Sequence, residues 1–107
     1  MNIIIEENKY LQKFFNHNKT YSEKLKQEIY ENILIIIKER NYKIKDVNKL
    51  KYKGKTIYEY KIILNKYFIC RVAYIKEGDS IIVFYISTNI IKAIFTKEVS
   101  KLKGVTK

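Results

Sequence analysis

The spacing of apolar residues changes several times along the chain, and each change marks an element. Ile3, Ile4 and Ile5 form a short apolar opening that predicts a first strand. From about Glu7 to His17, Leu11, Phe14 and Phe15 fall on one helical face with Tyr10 beside them. Asn16-His17-Asn18-Lys19 then reads as a polar turn. Thr20 followed three residues later by Glu23 has the spacing of a capping box, which predicts a helix start. In the segment that follows, Leu25, Ile29, Ile33, Ile36 and Ile37 recur at helical spacing while Lys24, Lys26, Glu28 and Glu31 lie mostly elsewhere. This second helix should end near Glu39 or Arg40, and the two together predict a helical hairpin.

Between Lys38 and Lys55 the chain is basic and poor in apolar residues, and it reads as a connector with a turn at Gly54. Three β-like runs follow. Ile57–Leu64 alternates in part, with Tyr58, Tyr60, Ile62 and Leu64 on one face and Glu59 and Lys61 on the other. Asn65-Lys66 leads into Tyr67–Ile75, and Lys76-Glu77-Gly78-Asp79 is a hairpin loop into Ser80–Ser87. The near-continuous apolar character of that last run predicts a strand buried on both faces. After Thr88-Asn89, the residues to Leu102 form a C-terminal helix with Ile91, Phe95, Val99 and Leu102 on one face, and Gly104 beyond its end. The order β-α-α-β-β-β-α predicts an α+β fold: a helical hairpin packed on a mainly antiparallel sheet, closed by a C-terminal helix. At 107 residues this is one domain, 1–107.

Composition narrows the partners more than the fold. A formal charge of +11 attracts polyanions: nucleic acid, ribosome, an acidic protein or an anionic membrane surface. The excess of Lys, Ile, Asn and Tyr fits a codon-biased genome, so the placement of lysines carries more information than their number. Among 22 basic residues only Arg40 and Arg71 are arginines. Cys70, the single cysteine, reads as a buried thiol, and no cluster with metal-ligand spacing surrounds it. The opening Met1–Glu6 has neither a basic stretch nor a long apolar core, and no apolar run reaches membrane-spanning length. A cytoplasmic protein with no membrane partner, metal or cofactor is expected.

Several strand segments, in their order, resemble the RelE/ParE superfamily of small toxins. The likeness is strongest from Lys49 to Leu102, about half the chain. Lys49-Leu50-Lys51-Tyr52-Lys53-Gly54 is similar to the family's approach to the sheet, and Ile57-Tyr58-Glu59-Tyr60-Lys61-Ile62 to its first central strand. Cys70-Arg71-Val72-Ala73-Tyr74-Ile75 resembles the next strand, with Cys70 in place of the usual aromatic. Gly78-Asp79-Ser80-Ile81-Ile82-Val83-Phe84 resembles the following strand, and Phe95-Thr96-Lys97-Glu98-Val99 the opening of the closing segment. The resemblance implies a toxin of a type II toxin–antitoxin system, neutralised by a cognate antitoxin protein. Most such toxins are ribosome-dependent, metal-free mRNA endoribonucleases; a minority inhibit DNA gyrase.

Metal-free RNA cleavage needs a base for the ribose 2′-hydroxyl, cations for the crowded phosphorane and an acid for the departing 5′-oxygen. Glu59 and Lys61 share a strand face and suit base and phosphate clamp; the plainer alternative is a surface ion pair. Arg71 interrupts an apolar run in a chain that otherwise uses lysine, and its planar fork fits phosphate. The alternative is a strand-edge arginine pairing with Glu59 or Glu77. On the catalytic reading, Arg71→Ala removes charge stabilisation and leaves packing untouched. Lys92 is the only cation in the loop Thr88–Phe95, where ribonuclease members carry more, and Phe95 stands where a proton-moving Tyr is usual. These departures keep a second reading open, a non-catalytic basic binder such as a ParE-like gyrase inhibitor. For RNA contact, Lys49, Lys51, Lys53 and Lys55 offer phosphate partners and Tyr52 a stacking ring. Tyr58, Tyr60, Tyr74 and Tyr85 read as core, and His17 as a surface residue.

Overall fold

The structure, a computed structural model, describes residues 1–107 apart from the side chain of Asn48. Its elements are β1 (Asn2–Ile5), α1 (Lys9–His17), α2 (Lys19–Glu39), a 3₁₀ turn (Asn41–Lys43), β2 (Lys45–Tyr52), β3 (Lys55–Asn65), β4 (Phe68–Glu77), β5 (Ser80–Ser87), α3 (Lys92–Ser100) and β6 (Val105–Thr106). The strands form one sheet in the order β1-β5-β4-β3-β2-β6. β1 lies parallel to β5 and every other pairing is antiparallel. The class is α+β, with α1 and α2 on one face of the sheet and α3 on the other. No helix among the described residues is long and apolar enough to cross a membrane.

Alternation along the strands divides the core in two. Leu11, Phe14, Leu25, Ile29 and Ile33 of the helical hairpin pack on Tyr60, Ile62, Val72, Tyr74, Ile81 and Val83. On the opposite face, Phe95, Val99 and Leu102 cover Val47, Ile57, Ala73, Ile75, Ile82 and Phe84. β5 is buried along most of its length, as its apolar run predicts. A bulge at Phe84 shifts its register, since Ala73 pairs with Tyr85 but Tyr74 with Val83. The extra residue reverses the alternation, which turns Ile86 toward the hairpin and leaves Ser87 opposite Arg71.

Three local expectations change. The capping box does not form, because the break between the helices falls at Asn18, one residue before α2 begins. Asn18 donates its side-chain amide to the Phe14 carbonyl at 2.8 Å, and Ser22 Oγ donates to Phe15 O at 2.9 Å. The start of α1 is set by Asn8, whose Oδ1 accepts from Leu11 N at 2.9 Å while its Nδ2 donates to the bulged Phe84 carbonyl at 2.9 Å. The basic segment from Lys38 to Lys55 is not a plain connector. It contains a whole strand, β2, joined to β3 by Lys53-Gly54 with φ of 53° and 76°, the two left-handed residues of a tight hairpin turn. The C-terminal helix is also shorter than its pattern: Ile91 sits at the N-cap of α3 and is 61% exposed, while Phe95, Val99 and Leu102 hold the shared face.

Candidate functional site

β2 pairs with β3 from Tyr52↔Lys55 to Lys45↔Glu59 and no further among the described residues. Past that point β3 has a free edge on one side. Lys92, in the first turn of α3, lines the space beside that edge. The result is a cavity of about 540 Å³ around the open end of β3.

Glu59, Lys61, Arg71 and Lys92 all line it. They come from β3, β4 and the first turn of α3. Lys61 stands directly opposite Arg71 in the ladder, and Arg71 opposite Ser87. Glu59 pairs with Ala73, whose small side chain leaves the diagonal to Arg71 clear. Arg71 Nη1 donates to Glu59 Oε2 at 2.7 Å, and Arg71 Nε donates to the Ile90 carbonyl at 2.6 Å. The guanidinium is therefore clamped between the strand and the loop before α3, with Nη2 in none of the hydrogen bonds among the described residues. Nη2 is the group left to donate to a phosphate oxygen.

Glu59 is not the surface carboxylate of an exposed ion pair. It is 1% exposed, its partner is Arg71 rather than Lys61, and its Oε1 is buried with no hydrogen bond among the described residues. Lys61 and Lys92 are exposed. The loop leading to Lys92 is itself tied down. Asn89 N donates to Ser87 Oγ at 3.0 Å, and the Asn89 side-chain amide donates to Glu98, which also accepts from Tyr85 Oη at 2.9 Å. Burial, then the Glu98 carboxylate, pushes the Tyr85 phenol above its ordinary range. Phe95 is a core residue tilted against Tyr85, with ring centroids 5.8 Å apart.

The remaining wall adds groups that the sequence pattern did not single out as site residues. Arg40, Tyr42, Lys43 and Lys45 come from the end of α2, the 3₁₀ turn and the start of β2, and Glu28 from α2. Their only signal is membership of the basic run after α2 and, for Glu28, a position at the margin of the apolar stripe. Six basic side chains thus face two carboxylates in one cavity.

The residues expected to contact RNA lie elsewhere. Lys49, Lys51, Lys53 and Lys55 are exposed but sit toward the far end of β2 and its hairpin, from about 13 Å (Lys49) to about 26 Å (Lys53) along the strand from Lys45. Lys53 pairs with Glu6 at 3.1 Å. Tyr52 offers no ring to a base in this fold. It is buried, stacks on Phe84 with centroids 4.0 Å apart, and has Gly104 close against it; a Cβ there would meet the ring at 3.1 Å. Tyr52 Oη donates to Glu6 Oε1 at 2.6 Å. Burial works to raise the Glu6 carboxyl, but the hydrogen bonds from Tyr52, Asn8 and Lys53 outweigh it and hold the group below its ordinary value. Tyr60 and Tyr74 are core, Tyr58 and Tyr85 half-buried, and His17 is exposed. Cys70 is fully buried, which pushes its thiol up to about 12. Among the described residues no three His, Cys, Asp or Glu side chains gather as a metal site.

Compared with family models, with curated proteins and with solved structures, the chain gives no match.

Proposed function

We propose that this chain is a RelE-like toxin of a type II toxin–antitoxin system, a metal-independent endoribonuclease that cleaves mRNA on the ribosome. The observation that carries the proposal is the single basic cavity in which Arg71, Lys61, Lys92 and Glu59 meet from three separate elements. The helical hairpin over a mainly antiparallel sheet is the arrangement that the family resemblance implies.

In this reading an RNA phosphate sits against the Arg71 fork, with Lys61 and Lys92 beside it. The 2′-oxygen attacks the adjacent phosphorus and the bond from phosphorus to the 5′-oxygen breaks. One product ends in a 2′,3′-cyclic phosphate and the other in a 5′-hydroxyl. The cations stabilise the dianionic phosphorane, the largest contribution such a site makes. Glu59 Oε2 holds Arg71 in position; its Oε1, enclosed in the free protein, accepts the 2′-hydroxyl proton only once bound RNA has opened the site. The departing 5′-oxygen takes a proton from a cavity ammonium group or from water. A cytoplasmic setting and an antitoxin partner belong to the same proposal.

One observation favours a second reading, a binder of this fold that blocks gyrase or another nucleic-acid machine. Glu59 is almost fully enclosed, and a base that no substrate reaches does no chemistry. Induced expression in bacteria separates the two. The ribonuclease halts incorporation of labelled amino acid within minutes and leaves the DNA-damage response silent. A DNA-damage response with protein synthesis continuing contradicts the ribonuclease and supports the gyrase inhibitor.

A further inference from the structure

Tyr42 lies in the 3₁₀ turn between α2 and β2 and is 68% exposed, yet it lines the same cavity as Arg71 and Lys61. Most other tyrosines have their rings engaged: Tyr52 on Phe84, Tyr21 on Phe68, and Tyr58 on Tyr74. The exposed ring of Tyr67 has the Lys66 ammonium 5.0 Å from its centroid. Among the described residues Tyr42 stacks on no ring and has no ammonium over it. Its flanks in sequence, Arg40 and Lys43, are cations that line the same cavity.

The turn that carries Tyr42 is fixed. Lys43 N donates to Arg40 O at 2.9 Å, Ile44 N donates to Asn41 O at 3.0 Å, and Ile44 packs against the hairpin side of the core. A free aromatic face on a hydrogen-bonded turn, set between cations at the edge of a cleft of about 540 Å³, is the pairing that single-stranded nucleic acid uses. The cations follow the backbone and the ring receives an unstacked base. A base within a duplex is already stacked on both sides and has no face to offer.

Resting on the ribonuclease reading above, we infer that Tyr42 is the base-stacking platform of this cleft and selects single-stranded RNA, with Arg40 and Lys43 holding the neighbouring phosphates. The ring and not the hydroxyl is the working part.

The test is fluorescence anisotropy at low salt with a labelled single-stranded RNA of about ten nucleotides, a length such clefts accommodate. The same RNA annealed to its complement is the comparison. Tyr42→Ala should weaken single-strand binding about tenfold, leaving duplex binding and the dependence on log salt unchanged. Tyr42→Phe should bind like the wild type. Lys43→Ala should flatten the salt dependence by about 0.7, one phosphate contact on a single strand. Wild-type affinity in Tyr42→Ala, or loss in Tyr42→Phe equal to that in Tyr42→Ala, overturns the inference. If Lys61→Ala weakens binding and Tyr42→Ala does not, the inference alone falls. If the wild-type protein binds no single-stranded RNA, the inference falls, while cleavage on the ribosome is judged by its own assay.

Discussion

Replacing Arg71 by alanine does more than remove a phosphate ligand, because Glu59 depends on it. The Glu59 side chain is 1% exposed, Oε2 has Arg71 Nη1 at 2.7 Å, and Oε1 has no partner among the described residues. In Arg71→Ala the carboxylate keeps its burial and loses its counter-charge. With charge centres roughly 4 Å apart and an effective dielectric constant near 20, the lost attraction is about 4 kcal/mol. Removal of one partner from a buried pair costs about 3–5 kcal/mol in general. Arg71 is 17% exposed, so we take the lower end, about 3 kcal/mol. That is a large share of the ~5–15 kcal/mol that holds a domain folded. Adding Glu59→Gln removes the stranded charge and leaves a buried amide, costing about 1–3 kcal/mol. The double variant should therefore be more stable than Arg71→Ala alone. Urea unfolding followed by far-ultraviolet circular dichroism at pH 7 measures all three proteins. A loss below about 1 kcal/mol in Arg71→Ala, or a double variant less stable than the single one, refutes the reasoning. The expectation that Arg71→Ala leaves the fold untouched is accordingly replaced, and Arg71→Lys, which keeps a cation near Glu59, becomes the cleaner probe of the fork.

Two further predictions concern other parts of the molecule. Lys61→Ala and Lys92→Ala should each weaken RNA binding and lower its salt slope by about 0.7, with stability changed by no more than about 0.5 kcal/mol, since both side chains are exposed; anisotropy titrations over a range of salt, with thermal melts beside them, check both. Tyr52→Phe should destabilise the protein at pH 7 by about 1.5–3 kcal/mol, the worth of a hydrogen bond to a charged group. Because the folded Glu6 carboxyl lies below its ordinary 4.5, its contribution is complete above that value and disappears as pH falls through the lower, folded one. Urea titrations at pH 7 and at acid pH should show the Tyr52→Phe penalty shrinking, and an equal penalty at both contradicts this account of Glu6.

What the sequence reveals, and what it conceals, follows from how each residue is placed. β3, β4 and β5 were readable because alternation or an apolar run persists through each despite Ile63 in β3 and Arg71 in β4, and the two faces assigned to Ile57–Leu64 are those found. β2 was not, for a physical reason. The first two of its buried residues, Val47 and Leu50, stand three apart, since the pairing is irregular between Asp46 and Lys51 and Lys49 has a left-handed φ of 62°. A two-residue period is lost, and the lysines around it read as loop. The face of Glu59 could be read from alternation, but not its depth, which goes with the clamp that Arg71 makes between Glu59 and the Ile90 carbonyl. The same limit explains Tyr52: its flanking lysines suggest surface, and only the sheet shows Phe84 beneath its ring. Arg40, Lys43 and Lys45 were visible as charge, whereas their convergence on Arg71 depends on where β2 starts pairing.

The most direct test of the central claim is primer extension on mRNA incubated with translating ribosomes, comparing wild-type protein with a folded Arg71→Lys variant. The account predicts discrete cuts by the wild type, ending in 2′,3′-cyclic phosphate and 5′-hydroxyl, and a loss of cleavage rate in Arg71→Lys of about a hundredfold or more, as removal of one transition-state donor brings. Intact mRNA with folded wild-type protein, or equal cutting by both proteins, contradicts it.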